Sequence, residues 1–294
     1  MATTTGPLVL RASGAVARRQ ALSRASRYVL LAASLAGLVV LGYLVYDTID
    51  TGGSRVSWDF LTSYPSRFAE RAGIRAALFG TLWVMATTIA LAFPVAIGTA
   101  IWIEEFAPRN RLLTIVQLNL ANLAGVPSII YGIVGLAIFV RFLDLGPSVL
   151  AGGFTLALMI IPMTVIASQE AIRQVPKSTR DASLALGATQ WQTVRHHVLP
   201  QAMPGIMTGV ILAFSRAVGE AAALIMVGAL AFVAHDPEGF LDSFTIVPIQ
   251  IYDWTTRPQE AFRETAAAAI IVLMIAVLVL NLTAAVIRER FRRE

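Results

Sequence analysis

Two ionisable residues, Arg216 and Glu220, stand four positions apart inside a long apolar stretch of the sequence, residues 204–234. On an unbroken helix that spacing puts both side chains on one face. Counted from a helix start near 204–207, Arg216 falls about 14 to 18 Å along the axis, close to mid-bilayer. A guanidinium there costs about 2.5 kcal/mol or more unless it is paired or wetted. Its chemistry is that of an anion site, because a planar fork of donors matches paired oxyanion oxygens, with Glu220 orienting the fork and weakening its hold. The other reading is an internal ion pair that rigidifies a helix interface.

Other reactive constellations are missing. The chain has no cysteine, which excludes disulfides, thiolate metal sites and cysteine nucleophiles. His196 and His197 are adjacent and diverge on a helix, and His235 is expected across the membrane, so no metal cluster is visible. The single lysine, Lys177, follows Pro176 and cannot serve a G-K-[ST] phosphate cradle. No cofactor is therefore expected on this chain. Gly125 and Pro127 interrupt a third apolar run, where water, Ser128 or a neighbouring helix must satisfy the freed backbone groups. Gln117, Asn119, Asn122 and Tyr131 add polarity there. A pathway lining, with Ser128 and Tyr131 in it, and a kinked packing helix both remain open.

The elements that must position these groups follow from composition. Hydrophobic residues make up 56% and charged residues 14% of the 294-residue chain, against about 25% charged in soluble domains. Apolar residues come in runs of about 19 to 29, which is bilayer length. Residues 28–46, 76–103, 112–140, 151–169, 204–234 and 266–287 predict an all-α polytopic membrane protein with about six transmembrane helices. The two longest runs exceed what about 30 Å of hydrocarbon requires, so tilt, breaks or extensions are expected. Residues 1–27 are read as a cytoplasmic tail with a small, polar start, 28–46 as the first helix, 47–73 as an external linker, 74–287 as the transmembrane core and 288–294 as a second tail. The first helix is expected to be retained, because its apolar stretch is too long for a signal peptide and no small-residue cleavage site follows.

Six spans put both termini on one side. On that side fall fifteen Lys and Arg residues, against seven in the opposite loops and one within a span. Both termini are therefore expected to be cytoplasmic. The net charge of +5 is membrane topology, not a nucleic-acid surface.

The loop 170–203 on that face is long and patterned, as functional loops are. Ser178-Thr179-Arg180-Asp181 reads as an S-x-x-D cap, followed by Ala182, Ser183 and Leu184 and a stop at Gly187. Thr189 and Gln192 repeat the device as T-x-x-Q, and Leu199-Pro200 is expected to end the second helix. This helix–Gly–helix elbow could rest on head groups, with Trp191 as anchor and Arg180 and Arg195 facing lipid phosphates. It could equally be a docking knob for a soluble partner.

Asp181-Ala182-Ser183, Gly187 and Leu199-Pro200 resemble the E-A-A, Gly, I-x-L-P loop of bacterial ABC importer permeases, with Asp181, Ser183 and His197 departing from the pattern. The stretches 98–106, 124–132, 216–222 and 254–262 are similar to the phosphate-importer permeases of the PstA type. That resemblance covers about residues 28–290. It implies a type I importer core and a bacterial inner-membrane location. It also implies a coupling loop formed by Ser178, Asp181, Ala182, Ser183, Gly187, Leu199 and Pro200, with Arg216 and Glu220 tied to phosphate passage. The implied partners are a second permease of the PstC type, an ATP-binding subunit dimer that holds ATP and magnesium, and an external phosphate-binding protein. A permease for sulfate or molybdate is the same-class alternative. An ion-coupled carrier or an intramembrane enzyme are the others, the last having only Arg216 and Glu220 to work with.

Overall fold

The computed structural model describes residues 14–230 and 232–293; the expected polar start, residues 1–13, lies outside them. Among these residues the elements are helical. Helix α1 (Gly14–Gly52) runs well beyond both ends of the expected first span. Residues up to 50 form a unit of their own, and those from 51 onward form a second.

In the second unit α3 (Arg75–Ile101), α6 (Val149–Arg173), α9 (Leu199–Val218) and α12 (Ala261–Arg293) are the long helices. With α1, five helices among the described residues are long and apolar enough to cross a membrane, and a broken pair makes a sixth. That pair is α4 (Arg111–Ala124) and α5 (Ser128–Gly135). It makes the third span two pieces bent by 102°, at the interruption that Gly125 and Pro127 lead one to expect. The cause is local: Gly125 leaves the helix and Pro127 has no N–H to continue it.

Close helix approach rests on small residues. Gly205 and Gly209 of α9 lie against Ala171 and Ala167 of α6. One buried cluster, with Ala96, Ile103, Val165, Ile172 and Ile206, sits toward the elbow. Another, with Phe60, Ile74, Trp254 and Phe262, closes the opposite end.

The second cluster corrects the linker reading of residues 47–73. Helix α1 continues to Gly52, and α2 (Trp58–Thr62) inserts Phe60, 2% exposed, into the cluster. Ser57 caps α2 through Phe60 N–H at 3.2 Å. Burial of an aromatic side chain outweighs the entropy that a free linker would keep. At the other terminus α12 runs on to Arg293, where a tail was expected.

The elbow also differs from its expected outline. Helix α6 continues to Arg173, and α7 spans Lys177–Ala185. Pro176 precedes α7 without a side-chain cap, so Ser178 lies inside the first turn and the S-x-x-D cap does not form. Pro176 already removes one orphan donor and orients the entry, so Ser178 has no cap position to occupy. The Thr189–Gln192 capping box at α8 (Gln190–Thr193) is present in full. Leu199-Pro200 does not end that helix. A π turn, Val194–Val198, carries α8 into α9, with Pro200 in the first turn of α9. The wide turn makes room for a residue that cannot donate and whose ring would crowd the carbonyl one turn back.

Candidate functional site

Two regions collect the predicted residues, and the first is a double break within the membrane. Where α4 ends, Gly125 N–H donates to Asn122 O at 3.1 Å and Val126 N–H to Leu123 O at 3.0 Å. The Tyr131 hydroxyl reaches back from α5 and donates to Leu123 O at 2.8 Å. Tyr131 thus adds a second donor to a carbonyl at the bend that already accepts from Val126 N–H, and its hydroxyl proton is committed to the backbone. Ser128 is half-buried in the first turn of α5.

The second break falls in the fifth apolar run. Helix α9 ends at Val218, with Gly219 after it, and α10 (Ala222–Val227) follows. Arg216 and Glu220 therefore do not share a helix face. Glycine at 219 lowers helix propensity, and the Glu220 carboxylate takes a better local role by accepting from Ala223 N–H at 3.2 Å. Arg216 is exposed and, among the described residues, has no acidic partner within ion-pairing distance. Its Nη1 lies 3.9 Å from Met163 Sδ on α6, and it is within electrostatic reach of the Tyr131 hydroxyl.

The short helices that follow the two breaks meet. A β-carbon on Gly132 would stand 2.8 Å from Ala223 Cα and from Met226 Cβ, so α5 and α10 touch backbone to backbone. The fold thus assembles Arg216, Tyr131 and the Glu220-capped start of α10 around discontinuous helices. Non-helical backbone at membrane depth is tolerated where protein buries it or where it lines a polar cavity. The Arg216 guanidinium is exposed there.

The second region is the elbow. Arg180 Nη2 meets Glu105 Oε1 at 2.6 Å and Nε meets the same oxygen at 3.1 Å. The guanidinium also donates to Val175 O at 2.7 Å and Ile172 O at 3.0 Å. Glu105 belongs to a π turn, Trp102–Phe106, that ends α3. Its backbone carbonyl accepts from the Gln190 side chain. Arg180 therefore faces protein rather than lipid, and it ties α7 to the second and fourth spans. Ser183 and Thr193 hydroxyls pair at 2.9 Å in a buried contact between the two arms. Gly187 sits between them at φ +86°, where a side chain is disfavoured.

Trp191 lies tilted against Phe106, with ring centroids 6.3 Å apart. Leu186, 90% exposed, projects from the elbow tip. Asp181 and Ala182 lie on α7, while Leu199 and Pro200 belong to the root of α9. Sequence reasoning missed the part played by Glu105, whose only sign was a pair of acids, Glu104-Glu105, on a face dominated by arginines.

Residues 107–293 match the family described as binding-protein-dependent transport system inner membrane component. The chain belongs to that family. The chain is 32% identical over 266 residues to the probable ABC transporter permease protein YqgI of Bacillus subtilis, covering 86% of this chain and 90% of the relative. It is 35% identical over 225 residues to the phosphate transport system permease protein PstA 1 of Mycobacterium tuberculosis, covering 76% and 72%. Its fold matches a chain of the bacterial alginate ABC transporter solved with its alginate-bound periplasmic protein. That match has a TM-score of 0.65 at 18% identity and covers 91% and 93% of the two chains. The several long apolar helices and the family together make this a multi-pass membrane permease.

Proposed function

We propose that this chain is the PstA-type permease of an ATP-driven phosphate importer, forming half of the translocation pathway. The observation that carries the reading is Arg216, a guanidinium without an acidic partner among the described residues, beside the break that ends α9. It offers phosphate charge-assisted donors, while Tyr131 and Glu220 fasten backbone groups on α5 and α10. The names of the curated relatives support phosphate as the substrate.

In this reading the elbow docks on a separate ATP-binding subunit dimer, which holds ATP and magnesium. A second, PstC-type permease completes the pathway, and an external phosphate-binding protein delivers the anion. Both termini and the elbow are cytoplasmic, as the basic residues argue. The Arg180–Glu105 link passes movement of α7 into α3, so closure of the ATPase pair would reach the breaks through packed helices.

The test is uptake of radiolabelled phosphate by the purified complex in proteoliposomes. Uptake should require internal ATP and should resist excess sulfate and molybdate. Competition by sulfate would move the assignment to another oxyanion. Uptake driven by an ion gradient without ATP would make the chain an ion-coupled carrier.

A further inference from the structure

At the elbow end of the bundle a cavity of about 590 Å³ opens between the end of α3, the start of α4 and the end of α6. Its wall carries Glu104, Arg109, Arg111 and Arg173, with Thr114 and Gln117 along one side. Arg173 is matched by acids, with Nη2 2.7 Å from Glu104 and Nη1 3.0 Å from Glu170. Arg109 and Arg111 are exposed and have no acidic partner among the described residues. The cavity is therefore net positive. The start of α4 adds to it: Asn110 Oδ1 takes the N–H of Leu113 at 2.9 Å, which leaves the N–H groups of Arg111 and Leu112 without helical partners.

Two guanidiniums without acidic partners and the start of α4 at one cavity suit a phosphate group. The source of that phosphate is indicated by what lies next to it. Helix α4 buries none of its residues, and Leu112, Ile115 and Leu118 are 67%, 54% and 59% exposed along it. An apolar strip that begins at the cavity rim and runs into the membrane suits acyl chains, whereas free phosphate has no use for it. We infer that this cavity binds the phosphate of an anionic phospholipid in the leaflet on the elbow side, with the acyl chains lying along α4. The neighbouring Glu105 holds Arg180 of the elbow, so a lipid in this cavity would sit one residue from the coupling link.

The assembled complex, placed in nanodiscs of equal phosphatidylglycerol and phosphatidylcholine and released for native mass spectrometry, tests this. The parent should retain phosphatidylglycerol over phosphatidylcholine. An Arg109→Gln, Arg111→Gln variant should lose about tenfold or more of that retention, while Arg288→Gln, a basic residue outside the cavity, should not. Excess inorganic phosphate should leave the lipid in place. Equal retention of the two lipids, or unchanged retention in the double variant, would overturn the site. Displacement of the lipid by inorganic phosphate would make free phosphate the ligand and overturn the lipid assignment. If the double variant does not assemble, a photoreactive residue at Leu112 in the otherwise native chain decides the matter. It should crosslink phosphatidylglycerol in preference to phosphatidylcholine, and equal labelling would refute the proposal.

Discussion

Arg180 and Glu105, 75 positions apart in the chain, form a charge-assisted pair at 2.6 Å that fastens the elbow to the end of α3. The Glu105 side chain is only 8% exposed and that of Arg180 21%. Removing one partner of such a pair leaves the other charge stranded, at a cost on the order of 3 kcal/mol. Arg180→Gln should therefore reduce coupling rather than insertion. In proteoliposomes ATP hydrolysis should continue while uptake per ATP falls several-fold. The charge-swapped Glu105→Arg, Arg180→Glu variant should regain part of the loss. Unchanged coupling in the single variant would remove the pair from the mechanism.

At Gly187 the backbone, not the available space, sets the constraint. An added β-carbon would meet nothing within 4 Å, yet φ is +86°. A branched or bulky residue there costs about 1–2 kcal/mol by forcing the left-handed region, whereas asparagine tolerates that region better. Gly187→Leu should uncouple transport with normal membrane levels, and Gly187→Asn should retain most of it. The ranking of uptake for Gly, Asn and Leu checks this; equal activity of Asn and Leu variants would show that the turn does not set coupling.

For Arg216 the expected result is loss of phosphate uptake in Arg216→Ala with assembly intact, because the anion loses its donors. Arg216→Lys should keep weak uptake, since a point charge attracts but lacks the planar fork. Glu220 acts through Ala223 N–H, so Glu220→Gln, which can still accept, should be milder than Glu220→Ala, which loses about 1 kcal/mol of capping. An Arg216→Met, Glu220→Met variant importing at the parent rate would end the pathway assignment.

Orientation is open to labelling, because the native chain contains no thiol. Cysteines at Ser54 and His235, both exposed, should react with an impermeant reagent on intact cells. One at Ser178, exposed on α7, should react only after permeabilisation. Labelling of Ser178 from outside would reverse the topology and exclude a cytoplasmic partner at the elbow.

Much of the architecture is legible in the residue string, for reasons rooted in the solvent. Lipid cannot hydrogen-bond the backbone, so long apolar runs must become helices and their number can be counted. The elbow was visible because Gly187 and the Thr189–Gln192 box act over a few residues, independently of anything distant. Tertiary structure decided the rest. Gly219 and the Glu220–Ala223 bond favour a break locally, but the place where α10 then lies, against Gly132 of α5, is encoded by no local pattern. Packing likewise set Arg216 near Met163 of α6 and left it without an acidic partner among the described residues. Arg180 found Glu105 rather than lipid because the turn that ends α3 lies beside the start of α7, a match created only when the helices pack. Local rules set the elements, and long-range packing chose which charges stayed free.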